Sequence, residues 1–243
     1  MLVLSLFPGI GLLDMAFEEA GFCVVRGPDL LWGGDVRRFS PPAGHFDGVI
    51  GGPPCQMFSR MRHINPRAGL AHGNMIPEFE RCVAACAPTW ALMENVPEAP
   101  EPAVAGYVTR PELIRDVWVG GDTNRMRRFS FITRDGRPLR VETLALHRTD
   151  PQPSALAGGA RRVPVKLGGS GKIKASRRVC AGDQKTVEGF NASKRAQGLP
   201  EDFDLPPFTV AAKVKAVGNG VPLPMGRAVA CAIKAAFAQE LAA

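Results

Sequence analysis

Residues Asp47–Ser59, with the sequence DGVIGGPPCQMFS, join a buried-strand pattern to a rigid turn that carries a cysteine. Val49 and Ile50 are the apolar centre of the predicted strand, and the glycines and prolines that follow prevent both its continuation and an immediate helix. Cys55 therefore stands at the carboxyl end of a strand. In an open α/β sheet ligands bind at that edge, so Cys55 is either a functional thiol or a small buried hydrophobic residue.

The residues around the cysteine favour the functional interpretation. Gly-Gly-Pro-Pro-Cys-Gln-x-Phe-Ser, from Gly51 to Ser59, resembles the nucleophile motif of the cytosine-5 methyltransferases. The resemblance implies that Cys55 is the catalytic nucleophile and that Pro54 contacts the cofactor. It also implies substrate contacts from the residues that follow, namely Gln56, Ser59 and Arg60.

The amino terminus has a strand, a glycine turn and a helix in succession. Leu2 to Leu6 predict a buried parallel strand, and a helical pattern from Leu12 to Ala20 stops at Gly21. A glycine turn lets a ligand approach the backbone over a helix N-terminus. With this helix, the turn resembles the S-adenosylmethionine (SAM) loop of the same family, which implies cofactor contacts from Phe7, Gly9, Ile10 and Gly11.

Two acids follow the predicted second strand, Phe22 to Arg26. By resemblance, Asp29 binds the ribose of SAM and Asp35 binds its adenine amino group; the alternative is a pair of surface acids in turns. The family has a helix and a strand between these two positions, whereas this chain has only Leu30 to Gly34. The sequence therefore predicts that one βα unit is shortened.

The remaining catalytic candidates belong to two later strands. The predicted buried strand Thr89 to Met93 leads into Glu94-Asn95-Val96 at the same sheet edge as Cys55, and Glu-Asn-Val matches the second catalytic motif of the family. A stretch from Thr123 to Arg128 precedes the predicted strand Phe129 to Thr133. It resembles the family's Gln-x-Arg-x-Arg motif, with threonine in place of glutamine. The implied catalytic residues are Glu94, Arg125 and Arg127.

The positive charge of the chain is concentrated in one segment. Residues 134–185 contain twelve Lys/Arg and four Asp/Glu, so the rest of a chain of net charge +7 sums to minus one. A basic, glycine-rich segment is typical of phosphate binding without sequence readout, although a disordered linker is the alternative. The family has its target-recognition region here. The candidate substrate contacts in the segment are Arg161, Arg162, Lys172 and Lys174.

Two motifs close the chain. The stretch from Thr186 to Phe203 resembles the motif that organises the recognition region against the main domain. Ala216 to Pro222 matches the family's last motif, in which Asn219 approaches the methionine part of SAM. An apolar helix is predicted from Pro224 to Leu241, and we expect it to pack beside the first strand.

Composition limits the remaining possibilities. A chain of 243 residues allows one large domain and a small appendage, and it contains no repeat array and no apolar run that could span a bilayer. The six cysteines form no CxxC pair and the four histidines are scattered, which predicts no metal site and no disulfide framework. The apolar start predicts a strand and no signal peptide, so we expect a cytoplasmic protein of a bacterial or phage-infected cell.

Together these features predict an α/β, Rossmann-like SAM-dependent methyltransferase with a small target-recognition insert. Residues 1–133 and 186–243 form the catalytic domain, and 134–185 form the recognition region. The resemblance implies a monomer that transfers a methyl group from SAM to carbon 5 of cytosine in double-stranded DNA through a covalent cysteine adduct on a flipped base, leaving S-adenosylhomocysteine. Two alternatives stay open: an RNA cytosine-5 methyltransferase of the same family, and a catalytically silent DNA-binding homologue.

The basic segment gives a prediction of its own. Each phosphate contact releases counterions and contributes a slope of roughly −0.9 to the log–log dependence of DNA affinity on salt. Neutralising the four candidate cations should therefore flatten that slope, measured by titrating duplex DNA at several salt concentrations. If the full salt dependence persists, the segment is a linker and DNA binds elsewhere. The four positions to change are Arg161, Arg162, Lys172 and Lys174.

Overall fold

The structure is a computed structural model that describes residues 1–58, 73–144, 154–155, 162–166, 173–178 and 186–238. The chain forms two compact units. The first contains Met1–Ile114, Met126–Glu142 and Gly226–Ala243, and the second contains Arg115–Arg125 and Thr143–Met225. The division into 1–133, 134–185 and 186–243 stays a prediction.

A six-stranded sheet organises the first unit. Its order is β2-β1-β3-β4-β6-β5; β1 pairs in parallel with β2 and β3, β3 pairs in parallel with β4, and β4 pairs antiparallel with β6. The predicted α/β fold class is confirmed. The strands are β1 (Leu2–Leu6), β2 (Cys23–Arg26), β3 (Gly48–Gly51), β4 (Trp90–Asn95), β5 (Val108–Arg115) and β6 (Met126–Thr133).

The central strands are buried along nearly their whole length, as their continuous apolar sequences predict. Trp90, the first residue of β4, packs directly on Gly48, the first residue of β3. A Cβ atom at position 48 would lie 2.2 Å from a carbon of the indole ring, so only glycine fits there. Trp90 also lies within 6.5 Å of four other ring centroids, those of Phe17, Phe22, Phe131 and Phe237.

Helices flank this sheet. They are α1 (Leu12–Glu19), α2 (Ile76–Cys86) and α5 (Leu223–Ala236), the last of which joins the first unit from Gly226 onward. In α5, Gly226 lies so close to Ala16 of α1 that an added Cβ would be 2.7 Å from the alanine methyl group, and Arg227 pairs with Glu19. Gly226 and Arg227 of α5 therefore pack on α1, and the predicted position of the helix beside the first strand stays a prediction.

The connection between β2 and β3 is short, as the sequence predicts. It contains two single turns of 3-10 helix, Leu30–Trp32 and Val36–Arg38. Asp29 and Asp35 are the residues immediately before these turns, and each accepts a hydrogen bond from a backbone N–H of its turn. This capping explains why two acids stand at these positions.

The β-branched and aromatic residues of Asp116 to Val119 predict an edge strand, and this prediction is wrong. These residues form a 3-10 turn that ends at Gly120, whose φ is 88°. The buried carboxylate of Asp116 accepts hydrogen bonds from the backbone N–H and the hydroxyl of Thr123, at 2.9 and 2.7 Å, and these bonds close the chain into a loop. One edge strand of the sheet is β5, which begins within the proline-rich stretch from Pro97 to Pro111; Pro111 is compatible with an edge position.

The second unit contains a hairpin and two helices. Strands β7 (Arg162–Lys166) and β8 (Ile173–Arg178) pair antiparallel, which does not agree with a linker that is disordered throughout. Helix α3 (Val187–Ala196) begins after Thr186, whose hydroxyl accepts from the Gly189 N–H, and α4 (Val210–Asn219) begins after Thr209.

The buried face of α2 generates a testable prediction. Cys82 and Cys86 lie one turn apart on it, together with Phe79 and Val83, and all four are fully buried, as packing residues should be. Burial raises the pKa of both thiols, that of Cys86 to about 11. Because only the thiolate is alkylated, a raised pKa moves reactivity to higher pH.

Iodoacetamide at about pH 8 should therefore modify the exposed Cys23 and Cys231 and leave Cys82 and Cys86 unmodified. Mass spectrometry of the peptides measures this, and a sample unfolded in denaturant is the control in which all four should react. Modification of Cys86 in the native protein at a rate near that of Cys23 would contradict the packing described here.

Candidate active site

The turn after β3 holds the predicted nucleophile. The strand ends at Gly51, and the N–H of Phe58 donates to the carbonyl of Cys55 at 2.9 Å, which closes a turn over residues 55–58. Cys55 is half-buried, and both it and Phe58 pack against the core of the first unit. The thiol is thus placed at the carboxyl edge of the sheet, as predicted, with part of its surface in solvent.

Glu94 lies at the same edge because β4 runs parallel to β3. The register pairs Gly51 with Met93, so Glu94 follows directly beside Gly52. A Cβ at Gly52 would lie 3.1 Å from the Oε2 atom of Glu94, and the glutamate side chain is only 11% exposed. The carboxylate therefore covers the start of the turn that leads to Cys55.

Arg127 joins Glu94 through the antiparallel pairing of β4 with β6. The register pairs Glu94 with Phe129, which places the start of β6 beside the end of β4. The Nε atom of Arg127 lies 2.8 Å from Oε1 of Glu94, and both side chains are largely buried. A buried charge-assisted bond of this kind fixes the direction of the carboxylate and of the planar guanidinium.

Asn95 is a site residue to which the sequence interpretation gave no role. Its Nδ2 donates to the carbonyl oxygen of Pro53 at 3.2 Å, and its Oδ1 accepts from the N–H of Val96 at 2.9 Å. The side chain is 1% exposed. This amide ties Pro53, which leads into the Cys55 turn, to the end of β4. The signal was present, since asparagine is the middle residue of the Glu-Asn-Val motif.

Arg128 was also missed, because it belongs to a run of arginines that is usually solvent-exposed. It is buried, and its guanidinium donates to the carbonyls of Pro97, Ala99 and Pro100. Burial lowers the pKa of Arg128. These bonds hold the segment that follows Glu94 and Asn95 against the start of β6.

The glycine loop after β1 forms a second part of the candidate site. Phe7, Gly9 and Gly11 all have positive φ, at 56°, 56° and 80°, and the Gly11 N–H donates to the carbonyl of Pro8 at 2.8 Å. A Cβ at Gly9 would meet no atom within 4 Å, so the backbone faces open space there. Ile10 lies within the same loop.

Two residues of the shortened connection hold this loop. Asp29 accepts from the Gly9 N–H at 2.9 Å, and the indole N–H of Trp32 donates to the Gly9 carbonyl at 2.6 Å. Trp32 received no role from the sequence alone, because a tryptophan in a turn carries no motif. Asp35 lies farther along the connection and pairs with Arg37 at 2.7 Å, whose hydrogen bonds lower the pKa of Asp35.

The remaining predicted site residues lie in the Cys55 turn, in the second unit, or outside the described residues. Arg125 and Asn219 belong to the second unit, where the Arg125 guanidinium donates to backbone carbonyls of Ala155, Gly218 and Gly220. Gln56 is in the Cys55 turn and Pro54 precedes it, while Arg162 and Lys174 lie in β7 and β8. The predicted contacts that lie outside the described residues are Ser59, Arg60, Arg161 and Lys172.

Two other properties concern the described residues only. No three His, Cys, Asp or Glu side chains among them come together as a metal site requires. None of the helices described combines the length and the apolar character of a membrane span.

Similarity to known proteins agrees with this site. A family model for C-5 cytosine-specific DNA methylases matches residues 33–103, which include the Cys55 turn and Glu94. The type II methyltransferase M.NgoPII of Neisseria gonorrhoeae is 32% identical over 117 residues, or 40% of this chain and 33% of that protein. M.HgiGI of Herpetosiphon aurantiacus is 31% identical over 120 residues, or 41% of this chain and 93% of that protein.

Solved structures share the fold. The structure of a DNA modification methyltransferase encoded within an E. coli prophage has a TM-score of 0.60 and 15% identity, covering 97% of this chain and 99% of that one. In sequence, the matched part spans about a third of the length of relatives such as M.NgoPII, but nearly all of M.HgiGI. With that coverage of a relative 31% identical to it, and with the family match over its motifs, the chain belongs to the C-5 cytosine-specific DNA methylase family.

Proposed function

We propose that this protein is a DNA cytosine-5 methyltransferase, which transfers a methyl group from SAM to carbon 5 of cytosine in double-stranded DNA. One observation carries the proposal: the turn with Cys55 is bonded to β4 beside the buried Glu94–Arg127 ion pair. Membership of the family supports the reaction, and the description of that family as DNA methylases supports DNA over RNA as the substrate.

The glycine loop fits the cofactor that this reaction requires. The open space at Gly9 admits a ligand against the backbone, and the two oxygens of Asp29 each accept one backbone N–H and keep lone pairs for hydroxyl groups. When bound, SAM supplies an electrophilic methyl carbon. The residues that we assign to it are Phe7, Gly9, Ile10, Gly11, Asp29, Asp35, Pro54 and Asn219.

Cys55 makes carbon 5 of cytosine reactive. Carbon 5 is a weak nucleophile, so the thiolate of Cys55 first adds to carbon 6, forming a carbon–sulfur bond and shifting ring electrons toward carbon 5. Carbon 5 can then accept the methyl group. Transfer of the carbon 5 proton to solvent returns its electron pair to the ring and expels the Cys55 thiolate, which restores the double bond between carbons 5 and 6. The proton on ring nitrogen 3 then returns to Glu94.

Glu94 and Arg127 balance the charge during the addition. Glu94 takes up a proton from solvent as the base enters, hydrogen-bonds ring nitrogen 3 and delivers that proton there, while Arg127 holds the carbonyl oxygen of the base. Negative charge therefore does not accumulate on the ring when the Cys55 sulfur attacks. The ion pair orients both groups before a substrate arrives, which avoids a reorganisation cost at the moment of reaction.

The basic hairpin supplies contacts to DNA. Lys or Arg occupies five of the eleven positions of β7 and β8, and the register sets Arg162 directly opposite Arg178. A run of cations in the sequence of a hairpin favours the approach of phosphates. Such contacts also offset the few kcal/mol that a base costs when it leaves the stack for Cys55. The type II methyltransferases among the relatives support a role in restriction–modification.

The cofactor assignment predicts loss of SAM affinity in two variants. Gly9→Val fills the open space at the loop and introduces a β-branched residue at positive φ, and Asp35→Ala removes an acceptor. Both should weaken SAM binding by roughly tenfold or more, the first because the valine occupies the space of the ligand and the second because a charged hydrogen-bond partner is lost. Isothermal calorimetry measures this, and unchanged affinity in folded samples of both variants would refute the assignment.

The chemical proposal predicts a trapped complex. Fluorine at carbon 5 cannot leave as a proton, so DNA with 5-fluorocytosine at the target should stop the reaction with the base still attached to Cys55. The complex should resist denaturation and require SAM. Cys55→Ser should abolish it, because a hydroxyl is far less ionised than a thiol, and Glu94→Gln should slow its formation sharply because an amide cannot deliver the proton.

Matched serine variants at Cys82 and Cys180 should leave the trapped complex intact. A complex that survives in Cys55→Ser would disprove the nucleophile assignment. A complex that forms only with RNA would establish the alternative substrate class. Wild-type protein that binds SAM and DNA but forms no complex would favour a catalytically silent homologue.

A further inference from the structure

Arg125 has contacts that differ from those of Arg127, although the same motif predicts a catalytic role for both. It is 6% exposed. Its Nη1 donates to the carbonyl of Ala155 at 2.7 Å, and its Nη2 donates to the carbonyls of Gly218 and Gly220, each at 3.2 Å. The guanidinium is thus bonded to backbone oxygens on both sides of Asn219.

Gln197, the residue that follows α3, holds the same turn. Its Nε2 donates to the carbonyls of Val217 and Gly220 at 2.6 and 2.9 Å, and its side chain is fully buried. The backbone carbonyl of Gln197 accepts a hydrogen bond from the N–H of Leu223, the first residue of α5, at 2.9 Å. Gln197 therefore bonds both to the end of α4 and to the start of α5.

These hydrogen bonds satisfy backbone carbonyls at the end of α4. The last carbonyls of a helix have no partner within it, and α4 ends at Asn219. Arg125 and Gln197 together satisfy the carbonyls of Val217, Gly218 and Gly220, while Asn219 itself is exposed. The backbone is fixed around the one residue of the turn whose side chain faces solvent.

The backbone of Arg125 is itself anchored. Its carbonyl accepts from the N–H of Asp116 at 2.9 Å, within the loop that the buried Asp116 carboxylate closes on Thr123. Threonine at position 123, where the family motif has glutamine, is therefore part of the support for Arg125. The backbone that carries the Arg125 guanidinium is therefore held in place by hydrogen bonds within this loop.

We propose that Arg125 is a positioning residue for the cofactor, which acts with Gln197 by holding the turn that presents Asn219, and that it does not contact the reacting base. The inference rests on the proposed function, in which Asn219 contacts the methionine part of SAM. The two arginines of one motif then have different roles: Arg127 acts with Glu94 on the reacting base, and Arg125 increases the affinity for the cofactor.

Calorimetric SAM titrations of the full chain test this proposal. Arg125→Met should weaken SAM binding roughly tenfold or more, because three buried carbonyls lose a charged donor. At saturating SAM it should still form the 5-fluorocytosine complex at a rate within a few-fold of wild type. The matched control Arg127→Met should show the reverse pattern, with SAM affinity retained and trapping lost.

A double-mutant cycle tests whether Arg125 acts through Asn219. In an Asn219→Ala background, Arg125→Met should weaken SAM binding by no more than about twofold further, since coupled residues are not additive. Fully additive effects would overturn the proposal. So would an Arg125→Met variant that keeps its SAM affinity but loses trapping, which would make Arg125 catalytic.

Two further measurements keep these outcomes separable. If Arg125→Met does not fold, as judged by its thermal transition, Gln197→Met and Arg125→Lys replace it; both should weaken SAM binding, with lysine the milder change because it keeps the charge but not the planar fork. Unchanged SAM affinity in both would overturn the proposal. A folded wild-type protein that binds no SAM would refute the proposed function itself.

Discussion

The parallel pairing of β3 with β4 brings the Cys55 turn and Glu94 to one edge of the sheet. Gly51 pairs with Met93, and the chain leaves both strands in the same direction. The residues that follow β3 and those at the end of β4 therefore stay side by side over the length of the site. The bond from Asn95 to Pro53 then ties the turn to β4, and antiparallel β6 adds Arg127. The chemistry available to Cys55 depends on this order of strands.

Much of this arrangement could be predicted because its determinants are local. An apolar run that meets two glycines and two prolines must end as a strand, and the carboxyl ends of neighbouring parallel strands share an edge. Leu2–Leu6, the helix that follows it and the buried strand before Glu94 were therefore predicted close to their observed limits. The pairing of Glu94 with Arg127 agrees with the motif spacing.

The features that could not be predicted depend on specific contacts or on the position of a strand in the sheet, which local propensity does not encode. Asp116 to Val119 resembles a strand by its β-branched and aromatic residues, but the Asp116 carboxylate bonds to Thr123 and bends the chain into a turn. Strand β5 was not predicted because it contains Pro111. A proline is excluded from a central strand but not from an edge strand. The guanidinium of Arg125 bonds to carbonyls 30, 93 and 95 residues away, separations that no local pattern encodes.

The contact between Gly48 and Trp90 constrains how this sequence can change over time. An alanine at position 48 would place its methyl carbon 2.2 Å from the indole ring, at the point where β3 and β4 begin to pair. A larger residue at position 48 is tolerated only after Trp90 has been replaced by a smaller side chain. If position 48 changes first, the new side chain overlaps the indole ring and the protein is strained. The two positions are therefore epistatic, and the history of one fixes which replacements are open to the other.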